Sequence, residues 1–164
     1  MQSEIHKHLS LLQQLSILDI GRAADLVWFQ FGVVESQQPE PVASYALHMQ
    51  CPWRITYEQK IVMGSADVYR PRSDYSGDPD LLEWDVAGMS ALDEKVRIHV
   101  HLNAMKRTVE RMMADHYGGF TITFSNGYQF ESFIHETSDA ELWRLLMRTE
   151  QQHFVVNGQG TEVV

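Results

Sequence analysis

Two histidines placed two residues apart, His99 and His101, are the sharpest chemical feature of the chain. Val96, Ile98, Val100 and Leu102 alternate with Arg97, His99, His101 and Asn103. That period of two predicts a strand with both imidazoles on its polar face. Two imidazoles begin a metal site, but zinc takes three or four ligands, so His48 or His116 would have to supply a third. The competing account is a solvated face, or histidines paired with carboxylates. His6 and His8 also stand two apart, but on a helix that spacing diverges.

Cys51 could serve as a nucleophile if the fold brought a histidine to it. It shares a predicted strand face with Leu47 and Met49, however, and free cysteine is among the most buried residue types, which favours core packing. No Gly-x-Ser-x-Gly elbow is present. Gly158-Gln-Gly160 is too short, and has no strand-then-helix context, to cradle a nucleotide. The residues therefore lean away from an enzyme and indicate no cofactor.

Residues 70–94 carry Asp74, Asp78, Asp80, Glu83, Asp85, Asp93 and Glu94 among Pro71, Gly77, Pro79 and Gly88. The spacing of Asp74, Asp78 and Asp80 does not match a calcium helix-loop-helix site. A connection this long with little periodicity is usually functional or readily opened. Trp84 sits in it between Glu83 and Asp85, and an aromatic in a polar loop is a common interface anchor. Trp84, Glu83, Asp85, Asp78 and Asp80 are thus the candidate partner-binding residues. The bland alternative folds Trp84 back onto the sheet with Leu81 and Leu82.

The balance of charge narrows the partner. Thirteen basic and twenty-two acidic residues give a formal net charge of −9. A negative field repels polyanions, and phosphate neutralisation supplies most nucleic-acid affinity, so nucleic acid is excluded as the expected partner. Lys106, Arg107 and Arg111 form only a small basic patch. Another protein with a basic patch fits better. One cysteine allows no internal disulfide, in keeping with a reducing compartment. The N-terminus lacks the basic-then-apolar pattern of a signal peptide, and no apolar run approaches the roughly 20 residues of a membrane span. The expectation is a cytoplasmic protein that does not engage a membrane.

The elements that must position these groups follow from periodicity. The 164 residues suit one domain, 1–164. Ile5, Leu9 and Leu12 predict an N-terminal helix. Residues 17–22, 25–32, 45–51, 53–57 and 61–68 read as strands, with Pro52 forcing an end or bulge. Strands follow at 96–102, at 107–117 (helix being the alternative there), and on both sides of Ser125-Asn126-Gly127. A three-residue loop at that turn places Phe120, Ile122, Phe124, Tyr128 and Phe130 on one face; a two-residue turn would scatter them. Ser138-Asp-Ala-Glu141 reads as a capping box opening a C-terminal helix with Leu142, Leu145 and Leu146 as its stripe. Residues 153–156 read as a short last strand. The class expected is α+β, mainly an antiparallel sheet of about seven or eight strands with an N-terminal and a C-terminal helix.

Tyr45-Ala-Leu-His-Met-Gln-Cys-Pro-Trp-Arg54, Gly64-Ser-Ala-Asp-Val-Tyr69 and His153-Phe-Val-Val-Asn-Gly158 are similar to stretches of a group of small bacterial proteins with no assigned activity. The resemblance runs through most of the chain and implies a bacterial, stand-alone domain. The functional expectation is an acidic protein-binding domain, with a toxin-neutralising, immunity-type role as its specific form. An enzyme or metal protein using the His99/His101 face, and a structural homo-oligomer, are the alternatives.

Overall fold

The computed structural model describes residues 1–33, 43–101 and 108–164, apart from the side chain of His101. The chain is α+β, with two antiparallel sheets and two short helices. Helix α1 is Gln2–Leu9. The strands are β1 Ile17–Ala23, β2 Leu26–Phe31, β3 Tyr45–Met49, β4 Trp53–Tyr57 and β5 Lys60–Gly64, then helix α2, Ala91–Val96, followed by β6 Val109–Ala114, β7 Phe120–Phe124, β8 Gln129–Ser132, β9 Glu141–Met147, β10 Gln152–Asn157 and β11 Thr161–Val163. One sheet runs β1-β2-β3-β9-β10-β11 and the other β5-β4-β8-β7-β6.

The sheets face each other across an aromatic core. Phe29 of β2 stacks on Phe130 of β8 with ring centroids 4.2 Å apart, and Trp53 of β4 meets Phe29 edge-on at 5.0 Å. Phe120 of β7 meets Trp143 of β9 edge-on at 5.1 Å. The alternation in β2 explains its part in this: Val27, Phe29 and Phe31 are buried while Trp28 and Gln30 are half-buried. The helices close the sides. Ile5 and Leu9 of α1 and Leu12 just beyond it are fully buried, each burial contributing about 1.5–3 kcal/mol. α1 lies against β6, and its His8 ring stacks on Phe154 of β10 at 3.9 Å. α2 packs against β5 and is pinned to β1 through Arg22 and Asp93.

Pro52 marks the place where the chain changes sheets. β3 ends at Met49 in one sheet and β4 begins at Trp53 in the other. The returning segment from β8 to β9 runs alongside: Phe133 N–H donates to the Pro52 carbonyl at 2.9 Å, and the Gln50 and Cys51 N–H groups both donate to the Leu142 carbonyl. Leu142 is the extra residue of a bulge opposite Val156 and Asn157, which lets the strand bend at the crossing.

Four expectations are corrected. Instead of one sheet of about seven or eight strands, the described residues form eleven strands in two sheets, because the chain crosses between sheets at Pro52. Residues 138–148 are not a helix: Glu141–Met147 is an inner strand, paired with β3 on one side and β10 on the other. Ser138 makes no capping box there; its hydroxyl accepts from Ala140 N–H. Leu142, Leu145 and Leu146 fit a helical stripe, but Trp143, Leu145 and Met147 also alternate, and β3 and β10 pair with residues 143–147 on both edges. Residues 96–101 are not a strand. Ser90 and Asp93 form a capping box that starts α2, and Arg97–His101 continues it as a π-helical turn. Leu92, Val96 and Val100, four apart, are buried, whereas Ile98 is exposed; the helical period is the one the core reads. Leu102 lies outside the described residues, as do Lys106 and Arg107. Finally, β5 stops at Gly64, and residues Ser65–Tyr69 form a 3₁₀ turn.

The 125–127 turn has the three-residue form. Ile122 pairs with Phe130, Thr123 with Gln129 and Thr121 with Glu131. Phe124 and Tyr128 close the loop through Phe124 N–H to the Tyr128 carbonyl at 2.9 Å, and Gly127 has φ +88°.

Candidate functional site

Of the candidate residues, Cys51 lies at the sheet crossing. A cleft of about 360 Å³ opens there. Met49, Cys51 and Trp53 come from the crossing itself, Asp25 from the two-residue β1–β2 turn, Leu26 from the start of β2, Ser65 and Tyr69 from the 3₁₀ turn after β5, and His135 from the β8–β9 connection. Ser65 Oγ accepts the Trp53 N–H at 3.3 Å, and Tyr69 donates its hydroxyl to Asp25 Oδ2 at 3.0 Å. Burial raises the Tyr69 hydroxyl pKa, and the Asp25 carboxylate raises it further. Cys51 is only 3% exposed, and burial pushes its pKa up to about 12. It is therefore a thiol at neutral pH and has no nucleophile's character.

Tyr69 joins this cleft to the acidic loop. Its ring meets Trp84 edge-on at 4.9 Å. Trp84 is half-buried and packs on the margin of the core, so it does fold back, yet Leu81 stays 75% exposed. Around Trp84, the side chains of Asp78, Asp80, Glu83 and Asp85 are exposed. Asp78 accepts the Asp80 N–H at 3.0 Å and so caps the short turn Pro79–Leu81. Among the described residues, none of these four carboxylates has a cation within ion-pair distance. The loop is nonetheless anchored: Arg22 donates to the Val86 carbonyl, Ser73 to Glu94, and Ala91 N–H to the Arg70 carbonyl.

The histidines do not share a strand face. His99 sits on the π turn after α2, with Nδ1 3.2 Å from the Tyr128 hydroxyl. Burial lowers its pKa, and Lys95 lowers it further. The His101 side chain lies outside the described residues. His48 is on β3 beside Trp28, and His116 is exposed in the β6–β7 turn. Among the described residues, no three of His, Cys, Asp and Glu come together in a group fit for a metal ion.

Sequence reasoning passed over Asp25, Ser65, Tyr69 and His135. Asp25 opened the expected strand 25–32, Ser65 lay within the expected strand 61–68, and Tyr69 fell just beyond it. Only the crossing of chain at Pro52 brings them together. No family model, curated protein or solved structure matches the chain. The class that the fold defines is an α+β domain of two facing antiparallel sheets. Among the described residues no helix is long and apolar enough to cross a membrane.

Proposed function

We propose that this chain is a protein-binding domain whose contact surface is the acidic loop, with Trp84 and Leu81 as its apolar centre and Asp78, Asp80, Glu83 and Asp85 around them. The observation that carries this reading is the Tyr69–Trp84 aromatic pair on an anchored loop in which Asp78, Asp80, Glu83 and Asp85 face no cation of the described residues. A rigid aromatic with exposed apolar surface beside it is the composition of an interface centre, and the charged rim gives specificity and rate. The net charge of −9 directs the choice of partner toward a basic protein. Its specific form is an immunity-type protein that neutralises a basic bacterial toxin in the cytoplasm.

The test is capture from the source organism at low and high salt, with wild type and a variant carrying Asp78→Asn, Asp80→Asn, Glu83→Gln and Asp85→Asn. A basic protein held by the wild type at low salt, released at high salt and missed by the variant supports the reading. Equal retention by the variant, or an acidic partner surface, overturns it. The immunity form further requires that the captured protein harm cells unless this chain is co-expressed.

A further inference from the structure

We propose that the cleft at the sheet crossing is a receptor for one arginine side chain presented by the partner. This rests on the protein-binding reading above and names the residue type that this part of the surface takes. The volume of about 360 Å³ is at the low end of the roughly 300–1,000 Å³ range of ligand sites, enough for a single long side chain. Among the described residues, Asp25 is the one carboxylate that lines the cleft, and no lysine or arginine lines it. An entering cation therefore meets fixed negative charge without a competing ammonium or guanidinium.

Asp25 and Tyr69 together select the shape of that cation. The Tyr69 hydroxyl holds Asp25 Oδ2 at 3.0 Å, and Oδ1 accepts no hydrogen bond among the described residues. Tyr69 is 53% exposed, and its ring is braced edge-on by Trp84. A carboxylate held beside an exposed tyrosine matches a guanidinium, which forks onto carboxylates and stacks on rings. Lysine offers a point charge and no fork. Leu26, Met49 and Trp53 supply apolar wall for the methylene stem, in the manner in which long cationic side chains bury their stems and keep the head polar.

The test is an NMR titration of the full chain at pH 8 with N-acetyl-arginine amide and its neutral isostere N-acetyl-citrulline amide. Saturable shifts at Leu26, Cys51 and Tyr69 are expected with the arginine compound, and binding weaker by about five-fold or more with citrulline. Asp25→Asn, an isosteric change at an exposed turn, should weaken arginine by a similar factor, while Glu83→Gln with Asp85→Asn leaves it within about two-fold. Equal binding of citrulline, shifts confined to the acidic loop, an unaffected Asp25→Asn variant, or no saturation by about 50 mM would each overturn the assignment. Loss of this result with salt-sensitive capture intact removes the cleft and leaves the loop reading standing. Arginine binding without capture does the reverse.

Discussion

Arg22 and Asp93, 71 positions apart, form a two-pronged ion pair: Nε and Nη2 of the guanidinium each donate to a carboxylate oxygen at 2.8 Å. The Arg22 side chain is 5% exposed, and it also donates to the Ala24 and Val86 carbonyls. Asp93 in turn accepts from the N–H groups of Gly88 and Ser90. One pair thus ties β1, α2 and the acidic loop together.

Removing the guanidinium leaves Asp93 and two carbonyls without their shared donor. Breaking a buried pair costs about 3–5 kcal/mol, and about 3 kcal/mol corresponds to roughly 6–12 °C in Tm for a domain of this size. Arg22→Ala is expected to melt at least that much lower, with hydrogen exchange accelerated most in residues 84–90. A Tm within about two degrees of wild type would show that the pair does not hold the loop.

Acid should weaken the fold in two stages. Burial, and then Arg144, lower the pKa of His48; burial, and then Lys95, lower that of His99. The unfolded chain therefore binds protons first, and stability falls as pH drops below about 6.5. Burial raises the Asp93 carboxyl, but the hydrogen bonds from Arg22 and Ser90 outweigh it and hold the pKa below the ordinary range. Its contribution is present above about pH 4 and lost as pH falls further through the folded value. Urea midpoints measured from pH 7.5 downward should fall in both windows, and His48→Gln with His99→Gln should flatten the upper one. A midpoint that rises on acidification to pH 5 would contradict the assignment.

Gly127 is a local test of register. Its φ of +88° favours glycine, while an added Cβ would meet only Tyr57 at 3.9 Å. Strain alone then sets the cost of Gly127→Ala, about 1 kcal/mol or somewhat more. A Tm lower by about 2–4 °C is expected; an unchanged or raised Tm would mean the turn adopts another form.

The outer edge of β6 carries a defence against self-pairing. Gln2 Nε2 donates to the Ala114 carbonyl at 2.7 Å, and Gln13 Nε2 to the Glu110 carbonyl at 2.8 Å. Unpaired strand edges invite association. Gln2→Ala with Gln13→Ala should therefore shift sedimentation toward larger species as concentration rises, and a variant no more associated than wild type would assign those side chains no protective part.

What the sequence determined by itself is the part of the fold written in neighbouring residues. The hairpin around Ser125-Asn126-Gly127 was legible down to its register, because turn geometry and the alternation of Ile122, Phe124, Tyr128 and Phe130 act within one short segment. β1, β2 and the helix of Ile5 and Leu9 were legible for the same reason. So was a break at Pro52. Trp84 and its acidic neighbours were picked out by composition. Tertiary structure alone decided that the break at Pro52 is the passage between two sheets, and so that Asp25, Cys51, Tyr69 and His135 share a cleft. It also decided between periods where a segment carried two. Glu141–Met147 became a strand because β3 and β10 lie on either side, and Leu92, Val96 and Val100 became a helical stripe because Ser90 and Asp93 cap it and Arg22 receives it. Each of those choices depends on partners distant in sequence, whose contacts a local pattern does not contain.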